Sequence, residues 1–109
     1  MPEQQNRLKY TEIKPTRLKH IDEQNNLCAL CNHVLDAPVL DHDHKSGHIR
    51  KVLCRGCNFF LGKIENNLTR NRITDDKLFN IINNLREYIT TDYTSNQIHP
   101  THNKKRRKR

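Results

Sequence analysis

The chain has 109 residues, a third of them hydrophobic, no Trp, and a formal net charge of +8. That length holds one domain at most, and so thin a core calls for a metal, disulfides or a second subunit. No apolar run approaches the ~18 residues that cross a bilayer, and residues 1–10, MPEQQNRLKY, lack the basic-then-apolar order of a signal peptide. A soluble cytoplasmic protein with no membrane contact is the expectation.

Charge is concentrated in two places. Lys104 to Arg109, KKRRKR, supplies six of the eight net charges, and residues 45–72 carry seven basic groups against one acidic. Such a run is either a solvated tail or a nucleic-acid contact. The second concentration coincides with the densest ligand chemistry in the chain, which points to nucleic acid.

Residues 1–14 are polar and without periodicity. Pro15 to Asn26 opens with Pro at a good first-turn position and sets Leu18, Ile21 and Leu27 near one face, so a short helix is expected there. Its narrow stripe would pack on the knuckle that follows, Cys28-Ala29-Leu30-Cys31. Val39 to Asp43 alternates as a strand, Lys45-Ser46-Gly47 reads as a turn, and His48 to Leu53 as a second strand. This hairpin is too short to be stable alone. From Cys57 the period becomes helical, with Phe60, Leu61 and Ile64 in register, until Asn66 and Asn67 weaken it; Thr69 to Ile73 reads as a polar connection. A second helix starts at Thr74-Asp75-Asp76 and carries Leu78, Ile81, Ile82, Leu85 and Ile89 on one face. That stripe either covers the hairpin or meets a second copy of itself. Beyond Tyr93 the chain is polar.

The four cysteines form two Cys-x-x-Cys pairs, Cys28/Cys31 and Cys54/Cys57, separated by 22 residues. In a reducing cytoplasm such pairs bind metal rather than form disulfides. Four thiolates suit tetrahedral zinc, and a closed sulfur shell is structural. Zinc here joins the two ends of the hairpin. Asp41, His42, Asp43, His44 and Asn58 remain. Carboxylate and amide oxygens suit a hard cation such as magnesium, and imidazole suits proton transfer from water near neutral pH, a combination that implies phosphodiester hydrolysis. Strict alternation, however, sets Asp41 and Asp43 on one strand face and His42 and His44 on the other. An exposed run without a task, or extra zinc ligands from the two histidines, remain alternatives at this level.

The run Cys-x2-Cys, then LDHDH with Gly and Ile-Arg following, then LC-x2-CN-x2-LG resembles the phage recombination endonuclease VII family of Holliday-junction resolvases, within the His-Asn-His nuclease superfamily. The resemblance spans roughly Asp22 to Pro100, including YITTDYTSNQIHP after the second helix. It implies a small α+β fold. A zinc-stapled ββα-metal nuclease core (residues 15–66) is followed by dimerisation helices (67–100), between an N-terminal segment (1–14) and a basic disordered tail (101–109).

Carried over by position, the resemblance implies zinc at Cys28, Cys31, Cys54 and Cys57, and catalytic magnesium at Asp41 and Asn58. It makes His42 the general base and gives His44 a place at the phosphate. Arg50, Lys51, Arg55 and Lys63 grip neighbouring phosphates. The implied activity is magnesium-dependent cleavage of branched DNA by a homodimer. The alternatives are a general or nicking His-Asn-His endonuclease on duplex DNA, and a non-catalytic zinc module that binds nucleic acid. Three positions depart from the family pattern. Leu61 stands where some members carry a Glu, and Glu65, about 10 Å beyond Asn58 along a helix axis, is no obvious substitute. Lys51 stands where a Gly is common, and the basic tail stands where longer relatives have a further domain.

Overall fold

The structure is a computed structural model that describes residues 7–102; the run Lys104 to Arg109, with its expected disorder, lies outside the described residues. After a 3₁₀ turn at Tyr10–Glu12 come α1 (Ile13–Glu23), β1 (Pro38–His42), β2 (Ile49–Cys54), α2 (Arg55–Arg70) and α3 (Asp75–Thr90). This is the expected small α+β arrangement, with one two-stranded antiparallel sheet and three α-helices among the described residues. The chain divides into two compact units between Arg72 and Ile73.

The hairpin is closed by Asp43. Its Oδ1 accepts hydrogen bonds from the backbone N–H of Lys45 (2.7 Å) and of Ser46 (3.2 Å), while its carbonyl accepts from Gly47 N–H at 2.7 Å. Gly47 takes φ +82°, a conformation an L side chain resists. These N–H donors hold the Asp43 carboxyl below its usual range. The strands pair Pro38 with Cys54, Val39 with Leu53 and Leu40 with Val52, and then the register slips so that His42 faces Ile49. Two residues of β2, Arg50 and Lys51, therefore stand opposite the single residue Asp41. Such a bulge bends and twists β2 locally, while alternation holds along β1, where Asp41 is buried and His42 exposed; His44 lies past the strand end, in the turn.

The buried apolar side chains among the described residues are Cys28, Val52 and Leu53. Burial of a Val or Leu side chain contributes about 1.5–3 kcal/mol, whereas ordering one residue's backbone costs about 1–2 kcal/mol. A core of this size cannot hold the unit together alone.

A polar side chain does part of that work. Asn25 and Asn26 adopt left-handed backbone, φ 56° and 62°, which Asn tolerates better than most residues and which ends α1 short of the expected Asn26. Just before them, the Gln24 side chain docks on β2. Its Oε1 accepts from Val52 N–H (2.9 Å), and its Nε2 donates to the carbonyls of Val52 (2.9 Å) and Leu27 (2.8 Å). The amide thus stands in for a third strand along the open edge of β2. Leu18, from the expected apolar stripe, is by contrast 54% exposed. Gln24→Ala leaves the Val52 N–H without its partner, the Val52 carbonyl keeping its bond from Ala29 N–H, so it is expected to lower stability by about 1–3 kcal/mol. A shift of the denaturant midpoint at unchanged zinc content measures this.

Helix α2 continues through Asn66 and Asn67 to Arg70, past the expected weakening. Asn67 Nδ2 donates back to the Lys63 carbonyl at 2.9 Å, and Asn71 Nδ2 donates to Asn67 Oδ1 at 3.1 Å. The amides bond along the helix instead of interrupting it.

In the second unit, Thr74 caps α3 as expected: its Oγ1 accepts from Lys77 N–H, with Asp75 and Asp76 in the first turn. Among the described residues of that unit nothing covers the middle of the apolar stripe, and Ile82, Leu85 and Ile89 are all exposed. Tyr93 folds back on the helix end, its hydroxyl donating to the Tyr88 carbonyl at 2.6 Å.

Candidate functional site

The four cysteines converge. Their sulfurs all lie within 4.8 Å of one another, with Cys31 Sγ and Cys54 Sγ 3.9 Å apart. Zinc–thiolate bonds of about 2.3 Å set tetrahedral sulfurs roughly 3.8 Å apart, so the cluster has the size of a zinc site. The local backbone explains the convergence. Leu27 bridges Val34, Cys28 N–H donates to the His33 carbonyl, and Asn32 turns the knuckle at φ 65°. The second pair straddles the junction of β2 and α2.

Backbone N–H groups aim at the sulfurs, as a thiolate site requires. Leu30 and Cys54 donate to Cys28 Sγ, and Asp36 donates to Cys54 Sγ, each at 3.4 Å. Burial pushes the Cys28 thiol up, but hydrogen bonds from the backbone of Cys31, Cys54 and Leu30 outweigh it and bring the thiol down to about 6. Cys57 goes the other way, pushed up to about 12, first by its hydrogen bond to the Cys31 sulfur. One thiolate thus suppresses its neighbours. A dication at the centre reverses that repulsion, so the donor set fits zinc.

Beside this cluster, where β1 ends and α2 begins, lies a cleft of ≈ 360 Å³ whose lining includes Asp41, His44, Asn58, Leu61, Lys63 and Glu65. Three of the expected site residues, Asp41, His44 and Asn58, therefore meet. Asp41 sits at the β2 bulge and Asn58 in the first turn of α2. His42 does not line the cleft; its exposed ring packs against that of His44, centroids 4.7 Å apart. Asp43 is committed to the hairpin turn.

Asp41 is 4% exposed, and a carboxylate so buried needs a partner. Arg50 supplies it: Nε donates to Asp41 Oδ2 at 2.6 Å. The same guanidinium forks onto Glu65, Nη1 to Oε2 at 2.8 Å and Nη2 to Oε1 at 3.4 Å. Hydrogen bonds to Glu65 first, and to Asp41 second, raise the Arg50 pKa above its ordinary value. Arg50, expected to grip phosphate, is here engaged by two carboxylates. Lys51, Arg55 and Lys63 are exposed, and the Lys63 ammonium lies 5.0 Å above the Phe59 ring.

Glu65 is the cleft residue that sequence reasoning passed over. Seven residues beyond Asn58, it returns to the same helix face after two turns, and the axial gap counts for little because Arg50 reaches across from β2. Its place on the helix face of Asn58 could be read from the i+7 spacing, but its meeting with Arg50 could not.

No described helix is long and apolar enough to cross a membrane. In comparison with known proteins, the family model for recombination endonuclease VII matches residues 3–94.

Proposed function

Since the chain belongs to the recombination endonuclease VII family, we propose that it is a magnesium-dependent DNA endonuclease that resolves branched DNA as a homodimer. Membership in the family implies a DNA nuclease, a hydrolase of phosphodiester bonds. The observation that most supports the finer reading is the meeting of Asp41, His44 and Asn58 in one cleft next to the four-cysteine cluster. In this reading β1, β2 and α2 form a zinc-stapled His-Asn-His core in a phage enzyme of the host cytoplasm.

Oxygen donors from Asp41 and Asn58 suit a hard divalent cation, which when bound neutralises charge on the scissile phosphate and on the leaving oxygen. His42, with its ring exposed at the strand end, takes the proton from the attacking water. His44 packs against that ring, orients it, and reaches the phosphate from the cleft wall. Lys51, Arg55 and Lys63 hold flanking phosphates; such contacts position a strand without reading its sequence.

Paired nicks across a four-way junction need two symmetric sites, and the uncovered stripe on α3 is the surface that would bring two chains together. Leu85→Asp is expected to turn a sedimenting dimer into a monomer. Monomers in both proteins would remove α3 from this role.

Cleavage of a labelled four-way junction beside a matched linear duplex tests the substrate. Faster, symmetric nicking of the junction is expected. Equal rates on both would leave a general or nicking endonuclease, and binding without cleavage would leave a nucleic-acid-binding zinc module.

A further inference from the structure

Arg50 occupies an unusual place. A buried carboxylate at the end of one strand, an acid two helical turns beyond Asn58, and a guanidinium from the facing strand form one bridge, all at or beside the same cleft. The bridge exists because the bulge sets Arg50 opposite Asp41. Nε reaches the strand residue while the two Nη atoms reach the helix.

At 4% exposure the Asp41 carboxylate has little water to hold it and is paired within the protein instead. A guanidinium within 2.6 Å of its Oδ2 supplies that pairing, and a divalent cation on the same carboxylate would face a neighbouring positive charge a few ångströms away. The two cations are therefore rivals for Asp41.

Resting on the reading that Asp41 and Asn58 hold the catalytic cation, we propose that Arg50 is a built-in competitor for that site, a positioning residue that keeps cation affinity low until DNA arrives. When the cation takes Asp41, Arg50 lets go of Oδ2 and remains anchored on Glu65 at the cleft edge. Its freed Nε–H edge then faces incoming phosphate, which offers Arg50 a new anion and the cation further oxygens. Cation and DNA therefore promote each other's binding, by linkage.

The test is cation affinity without DNA. Manganese(II) binding to the zinc-loaded full chain is followed by the electron paramagnetic resonance of free manganese, for wild type, Arg50→Gln and Asp41→Asn. Arg50→Gln is expected to tighten the Asp41-dependent site about tenfold or more, the scale of removing a close like charge at moderate effective dielectric. Asp41→Asn is expected to abolish that site. Unchanged or weaker binding by Arg50→Gln would overturn the proposal and leave Arg50 as a structural brace. Absence of any Asp41-dependent binding in wild type and in Arg50→Gln would instead remove the cation assignment itself.

The wild-type chain supplies a second readout that does not depend on a variant folding. The Arg50 Nε–H nitrogen and proton resonances are expected to shift on magnesium titration, with the midpoint of cation binding, as the bond to Asp41 is lost. Resonances that stay in place while the site fills would overturn the proposal.

Discussion

Removal of zinc by a strong chelator is expected to unfold the unit that ends at Arg72, and with it the cleft. Three buried apolar side chains, Cys28, Val52 and Leu53, are the apolar core among the described residues, and one of them is itself a ligand of the cluster. Structural zinc contributes on the order of 10–16 kcal/mol in small domains at neutral pH, as much as the entire stability of an ordinary domain, about 5–15 kcal/mol. Cys54→Ala is expected to act like chelation, because Cys54 ends β2, precedes the first turn of α2 and accepts the Asp36 N–H. Far-UV circular dichroism during heating, with zinc release followed by a chromophoric chelator, measures both. A chelated protein that still melts cooperatively at the wild-type temperature would mean that Gln24 and the hairpin suffice.

His42→Ala is expected to slow DNA cleavage by about 10²–10⁴-fold, the usual contribution of a general base, while leaving zinc content and melting temperature near wild type. The His42 ring is exposed and packs only against His44 among described aromatic groups, and substitutions at such surface positions stay within about 0.5 kcal/mol. Single-turnover cleavage at saturating protein separates the chemical step from DNA binding. A variant that cuts as fast as wild type would pass the role of base to another group, with His44, on the cleft wall, the first to examine.

What could be read from the chain and what could not divides along a physical line. Local rules place Thr74 at the start of α3 and Gly47 in the hairpin turn, because capping and left-handed backbone depend on neighbours within a few residues. Paired spacing brings four cysteines, spread along the sequence from Cys28 to Cys57, to one point, because few other chemistries use that pattern. Strand alternation separates Asp41 from His42 but says nothing of His44, which lies past the end of β1 in the turn, nor of the β2 bulge that sets Arg50 against Asp41. Glu65 and Gln24 escape for a related reason. Each acts through one long side chain that meets β2 far away in sequence, 15 residues for Glu65 and 28 for Gln24, and no periodicity records such a meeting. The apolar stripe on α3 is legible, but what covers it is not, since pattern alone does not distinguish a neighbour in the chain from a second copy.

The most direct test of a cation-driven nuclease on a zinc-stapled scaffold is cleavage of a four-way junction by wild-type and Asn58→Ala protein, with magnesium or with magnesium withdrawn, and zinc retained throughout. Cleavage that needs magnesium and is lost in a folded, zinc-loaded Asn58→Ala variant is the predicted result. Cleavage that persists in that variant, or that proceeds with magnesium withdrawn, would contradict the assignment of Asp41 and Asn58 as the catalytic cation's ligands.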